Sequence, residues 1–204
     1  MKRFKSILFI ICLGVISLAA VRPLFSQQTG TLVVQMNNYN SDAKLPKKIQ
    51  AQLEHAGLPW GMVKNTLVIP LVNQRFVNVD TLNLTRFGER KRLEVPPGDY
   101  TITCVAHEFN SNSTSVDKFL SRNAFFNLDV LKFTILPGKT TTVVIAPNYK
   151  PQSAWFRLSK ETIYIPEVSV QVLMDGTPAG EAVVVNRRMD KSVTWDDYKG
   201  PLKF

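Results

Sequence analysis

Cysteine and histidine are scarce, with two of each among 204 residues. Two cysteines cannot build a multi-bridge disulfide scaffold. Zinc needs three or four convergent His, Cys or carboxylate ligands. His55, His107 and so few thiols fall short of that, so no metal is expected. The ten glycines and twelve prolines are scattered, which excludes a collagen-like repeat. With 45% hydrophobic and 20% charged residues, wholesale disorder is excluded too. There is no Gly-x-Ser-x-Gly elbow and no glycine-rich phosphate cradle. Ser-x-x-Lys pairs occur at Ser41/Lys44 and Ser115/Lys118, but without the Ser-Asp-Asn and Lys-Thr-Gly elements that would make them catalytic. No catalytic residue and no cofactor is expected, and the chain reads as a non-enzyme.

What is present begins with an export signature. Lys2, Arg3 and Lys5 precede an uncharged run over residues 6–21, which Arg22 ends. A basic start, a short apolar core and small residues near its end predict a secretory signal peptide over 1–26. The run is shorter than the roughly 18–20 residues of a spanning helix, so no membrane span is expected after cleavage. Cleavage after Ala19, Ala20 or Ser26 fits the pattern. Cys12 lies inside the apolar run rather than at its end, which argues against lipidation. The formal charge of +9 then changes meaning. Without the four leader cations, 21 basic residues face 16 acidic ones, a net +5. That is a moderately basic periplasmic or extracellular protein, not a nucleic-acid binder. Cys104 alone remains, so the core must supply the stability.

The rest reads as strands and turns. Residues 31–36 are β-rich. Pro46, the stripe Leu45, Ile49, Leu53, Ala56 and the closing Gly57 predict a short amphipathic helix over 45–57. Residues 66–72 and 75–84 are candidate strands. Residues 93–95, Pro96-Pro97-Gly98 and 100–106 read as a hairpin, with Tyr100, Ile102, Cys104 and Ala106 on the core face. Residues 133–136, Pro137-Gly138 and 139–146 repeat that grammar, and Thr141, Val143 and Ile145 alternate with Thr142 and Val144 as in a central strand. Between them, a polar loop leads into an apolar stretch over 119–131. The tail offers strands over 154–158, 163–174 and 182–185. Short strands with Gly/Pro turns predict an all-β fold, an antiparallel β-sandwich with one short helix and a C-terminal β extension.

Leu93-Glu94-Val95-Pro96-Pro97-Gly98-Asp99-Tyr100-Thr101-Ile102-Thr103 resembles the strand–turn–strand of prealbumin-like, carboxypeptidase-regulatory-like bacterial sandwiches. The segment 133–145, with Pro137-Gly138-Lys139-Thr140, is similar to their closing strand. The resemblance covers residues 29–148 and implies an immunoglobulin/prealbumin-like, non-catalytic module, some relatives of which bind glycans. It transfers no functional residue. Residues 149–204 have no counterpart in it and form either a separate hairpin unit or part of the same sandwich.

Two surface features stand out. Arg86, Arg90, Lys91 and Arg92 put four cations in seven residues beside Glu89, a cluster suited to anionic lipid or acidic glycan. A solvated loop is the plainer reading. Trp60, Trp155 and Trp195, with Tyr39, Tyr149 and Tyr198, lie near turns or tails, where flat rings can stack on sugars or anchor a core or interface. The expected function is a non-catalytic exported sandwich that binds another cell-envelope or secreted component. The alternative is a carbohydrate-binding module using exposed Trp side chains. A hydrolase built from scattered carboxylates is a third reading. Sequencing of the amino terminus of protein recovered from the envelope should begin at Ala20, Val21 or Gln27; recovery with Met1 intact would refute cleavage.

Overall fold

A computed structural model describes residues 28–71, 82–107, 124–156, 159–185, 192–194, 196–197 and 199. The strands are β1 (Gly30–Met36), β2 (Asn40–Ser41), β3 (Gly57–Val63), β4 (Thr66–Pro70), β5 (Leu82–Arg86), β6 (Arg90–Val95), β7 (Gly98–His107), β8 (Ala124–Ile135), β9 (Thr140–Phe156), β10 (Ser159–Met174), β11 (Thr177–Pro178), β12 (Val183–Val185) and β13 (Ser192–Val193). The one helix among the described residues, α1, spans Lys47–Leu53 and enters through Pro46, a residue whose fixed φ suits a helix start. It is shorter than the expected 45–57, and Leu45 and Leu53 are its buried anchors.

The strands form two sheets. One runs β11-β10-β9-β1-β6, with β12 also on β10 and β2 on β9; the other runs β13-β8-β7-β4-β3-β5. A single apolar core lies between them. The first sheet contributes Leu32, Val34, Met36, Val143, Ile145, Val168 and Val170, and the second Leu58, Trp60, Leu67, Ile69, Tyr100, Ile102, Cys104 and Ile135. The fold is therefore the expected β-sandwich. Tyr100, Ile102 and Cys104 share its core face as their alternation predicts, and β9 is central, between β1 and β10.

The two expected hairpins are not hairpins. β6 pairs with β1 in the first sheet, whereas β7 pairs with β4 and β8 in the second. Pro96-Pro97 is thus a crossover between layers. A proline forces the residue before it out of the helical region, so two in succession keep the chain extended and cannot fill both central positions of a tight turn. The Tyr100 hydroxyl ties the crossover down by donating to the Pro96 carbonyl at 2.7 Å. At the second site the chain does turn, with Gly138 at φ 68° and Lys139 N–H on the Leu136 carbonyl at 3.2 Å. The emerging strand is nonetheless captured by β1: Gly138 N–H donates to Thr29 and Thr31 N–H to Lys139. β8 and β9 end in different sheets. The β1–β9, β2–β9 and β4–β7 ladders are parallel, so the sheets are mixed rather than purely antiparallel.

Proline also organises β9 and β10. β9 runs unbroken through Pro147 and Pro151, across the expected boundary at residue 149, and β10 pairs with it along its length. Pro147 faces Val168, Pro151 faces Tyr164 and Pro166 faces Tyr149. These are alternate rungs of one ladder, so all three prolines fall in the class whose N–H would point away from the partner strand. No rung bond is lost. On the outer side the missing donor matters. β1 pairs with β9 as far as Met36/Ile145, and pairing resumes only at Asn40/Asn148. Pro147 sits in that gap, and after Asn37, whose N–H still bonds the Ile145 carbonyl, residues 38–39 bulge out of the ladder.

The close packing at Gly57 gives a test. A Cβ there would lie 2.1 Å from the Thr85 carbonyl oxygen, whereas one at Gly180 would meet nothing within 4 Å. Gly57→Ala should lower the unfolding free energy by about 1–3 kcal/mol, and Gly180→Ala should change it by less than about 0.5 kcal/mol. Urea denaturation of both variants reads the difference.

Candidate functional site

The bulge beside Pro147 borders an open depression among the described residues. β1 ends at Met36, and Asn37 N–H donates to the Ile145 carbonyl at 2.8 Å. The chain then turns outward through Asn38 and Tyr39. Opposite, β5 leads through Phe87-Gly88-Glu89 into β6. Met36 N–H donates to the Glu89 carbonyl at 2.8 Å, and Gly88 N–H to the Met36 carbonyl at 2.9 Å. Gly88 has φ 84°, a conformation glycine takes without strain. Between the two segments lies an open depression of about 640 Å³ lined by Gln35, Met36, Asn37, Asn38, Gly88, Glu89 and Arg90.

Aromatic rings support this corner. Tyr39, Phe87 and Tyr149 meet pairwise with centroids 5.8–6.4 Å apart, tilted or edge-on. Such arrangements suit the ring quadrupole. All three are half-buried, and burial raises the Tyr149 phenol above its ordinary value. Tyr39 directly follows Asn38 and Phe87 directly precedes Gly88, so the cluster pins both lips of the depression.

Its polar lining is incompletely used. Gln35 Nε2 donates to Asn37 Oδ1 at 3.1 Å. That orientation leaves the Gln35 carbonyl oxygen and the Asn37 amino group free within the described residues. The side chains of Asn38, Glu89 and Arg90 have no hydrogen-bond or ion-pair partner there either. Beside the depression, Asn148 Nδ2 donates to Asp42 Oδ1 at 2.9 Å, while Asn148 Oδ1 is buried without a partner. Lys150 bonds Glu167 at 2.7 Å, and that hydrogen bond raises its ammonium above the ordinary value.

The basic cluster is split by the strand. Arg86 ends β5 and is exposed; Arg90, Lys91 and Arg92 open β6, an edge strand. In the β1–β6 register Lys91 faces Val34, a core residue, and its ammonium spans the open side of the sandwich to Asn83 Oδ1 on β5. Arg90 and Arg92 alternate with it on the outer face. Arg92 is neutralised by Glu94 at 3.2 Å and also donates to Thr31 Oγ1 at 3.0 Å. The Thr31 hydroxyl, helped by Arg92 and Thr29, holds the Glu94 carboxyl below its ordinary value. The four cations therefore do not form one anion-binding face. Three of them guard a sheet edge, where charge discourages pairing with another chain.

Trp60 is not a platform. It is fully buried in β3, and its indole N–H donates to Thr85 Oγ1 at 2.8 Å. Its ring fills the core, and its polar atom is satisfied there. Trp155 lies on β9 opposite Lys160, but its side chain is outside the described residues, as is Trp195. His55 is exposed in the turn after α1 and His107 ends β7, and no group of three or more potential metal ligands gathers among the described residues.

Cys104 is fully buried, and desolvation pushes its thiol up from 9.0 to about 12. Thiol reagents should fail to label it in the native protein and should label it in denaturant. The neutral thiol is favoured by the fold, so this group leaves stability unchanged below pH 9 and lowers it as pH rises from 9 towards 12. Cys104→Ser should flatten that alkaline decline in denaturation curves. Comparison with protein-family models, curated proteins and solved structures finds no match, so family membership is not assigned and the prealbumin-like resemblance rests on its strand and turn residues alone.

Proposed function

We propose that this chain is an exported, non-catalytic β-sandwich that binds another cell-envelope or secreted component through the depression between β1 and β6. One observation carries the reading. Residues whose side chains have uncommitted hydrogen-bonding groups line one open site at the end of β1 and the start of β6. Arg92 on the neighbouring stretch of β6, by contrast, is already paired with Glu94. The packed rings hold the backbone of both lips in place, which lowers the ordering cost when a partner arrives. Binding surfaces commonly join such a polar rim to aromatic anchors.

Export is part of the same proposal, and residues 1–26 support it through their sequence. The variant reading, sugar stacking on tryptophan, loses Trp60 to the core. The immobilised chain should capture a component from solubilised envelope or culture medium, and Gln35→Ala/Asn38→Ala/Arg90→Ala should lose it. Asn38 and Arg90 are exposed and Gln35 is half-buried, so the variant should keep a denaturation midpoint close to the parental one. An unchanged captured set from a folded triple variant would sink the assignment of this site.

A further inference from the structure

The geometry points to the far end of the β9–β10 ribbon as a second contact, one that dips into the interface of a lipid bilayer. This goes beyond the reading above and uses neither the β1–β6 depression nor the Arg86–Arg92 stretch. Among the described residues, β9 has a third strand beside it only as far as Tyr149, on β2, and β10 only from Val168, on β12. From Lys150/Ile165 to Phe156/Ser159 the two strands pair with each other alone. Pro151 to Phe156 spans about 20 Å at the rise of a strand. The ribbon also leaves the shelter of the second sheet. Ile145, Pro147, Val168 and Val170 are buried on the core face. On alternate rungs that face continues as Pro151, Ser153, Thr162 and Lys160, and all four are exposed. Lys150, on the opposite face, is exposed too.

A two-stranded ribbon is marginal in water by itself, and its sequence says what surrounds it. Trp155 and Phe156 are consecutive at the far end of β9, so they belong to opposite faces of the ribbon. The tip therefore carries a large aromatic residue on each face. Docking on a protein surface covers one face and leaves the other in water, whereas immersion in a bilayer interface takes both. Strand addition is the other way to attach a ribbon to a protein. It meets Pro151 on the β9 edge and Pro166 on the β10 edge, where no N–H is available. Tryptophan is favoured at the level of the lipid headgroups, with an apolar body and a polar N–H. Lys160 lies directly opposite Trp155 in the ladder, which sets an exposed ammonium at the depth where anionic headgroups attract it. The acid of this stretch, Glu161, sits one rung nearer the body, opposite Ala154. Insertion by roughly 5–10 Å, as interfacial segments achieve, takes in two or three rungs of the tip.

Flotation of the purified chain with phosphatidylcholine vesicles, with and without phosphatidylglycerol, tests this. The chain should float with both, and more with phosphatidylglycerol. Trp155→Ala/Phe156→Ala should weaken the association about tenfold or more. Lys160→Glu should weaken it several-fold on the anionic vesicles, and it supplies the measurement if the aromatic variant unfolds. Vesicles with brominated acyl chains should quench the tryptophan emission, and Trp155→Phe should lower that quenching. Gln35→Ala/Asn38→Ala/Arg90→Ala should float as the parent does; loss of flotation there would move the lipid contact to the depression and overturn the assignment to the ribbon. So would a chain that floats with neither vesicle, or flotation and quenching that survive the aromatic substitutions, as they would if residues 1–26 held the lipid. Should vesicles fail while the aromatic variant loses an envelope protein that the parent captures, the tip is a protein-docking element and the bilayer assignment falls.

Discussion

The two sheets are bound together by connectors too short to wander. Residues 87–89, 96–97 and 136–139 each carry the chain from one layer to the other, across the roughly 10 Å that separates packed sheets. Each connector is fixed by backbone chemistry at its own position. Gly88 supplies a left-handed turn, Pro96-Pro97 an extended crossing and Pro137-Gly138 a tight reversal. Because the chain alternates between layers, β1 can be flanked by β6 on one side and β9 on the other. Two-sided pairing then fixes Leu32, Val34 and Met36 at the centre of the core. The depression is a by-product of this arrangement, formed where the first crossover meets the end of β1.

Missing hydrogen-bond donors shape the molecule as much as the bonds that form. Pro147 interrupts the outer pairing of β9, and residues 38–39 bulge out beside it to form one lip of the site. Pro151 and Pro166 lie on opposite outer edges of the β9–β10 ribbon, where an absent N–H discourages further strands from adding. Charge does the same for β6 through Arg90, Lys91 and Arg92. The sheet is thereby protected at edges of quite different chemistry. The basic stretch that looks like a ligand for anions in the sequence has this structural use in the fold.

Local grammar was legible and pairing was not. The alternation over Tyr100, Ile102 and Cys104 and the two-faced β-branched run at 141–145 state their own burial, because period-two patterning needs no partner to be read. Sheet membership depends on which strand claims the free backbone groups, and β1 outcompetes the sequence neighbours for both β6 and β9. The candidate site was hidden for the same reason. Gln35, Asn37 and Asn38 lie about fifty positions from Glu89 and Arg90 and meet only through the β1–β6 ladder. The polar run Asn37-Asn38-Tyr39-Asn40 directly after an apolar strand was the one local signal. Trp60 misled because Pro59 and Gly61 flank it like turn residues, although the buried partner of its indole, Thr85, lies on another strand.

The parallel ladder between β1 and β9 sets a timetable for folding. Thr31 pairs with Thr140 and Met36 with Ile145, so β1, already paired with β6 on one side, meets its second partner more than a hundred residues later. Contacts of that sequence separation slow the search for the native state, because a long loop must close before any bond rewards it. One side of β1 therefore stays unpaired until residue 145 is available, and the core closes only then.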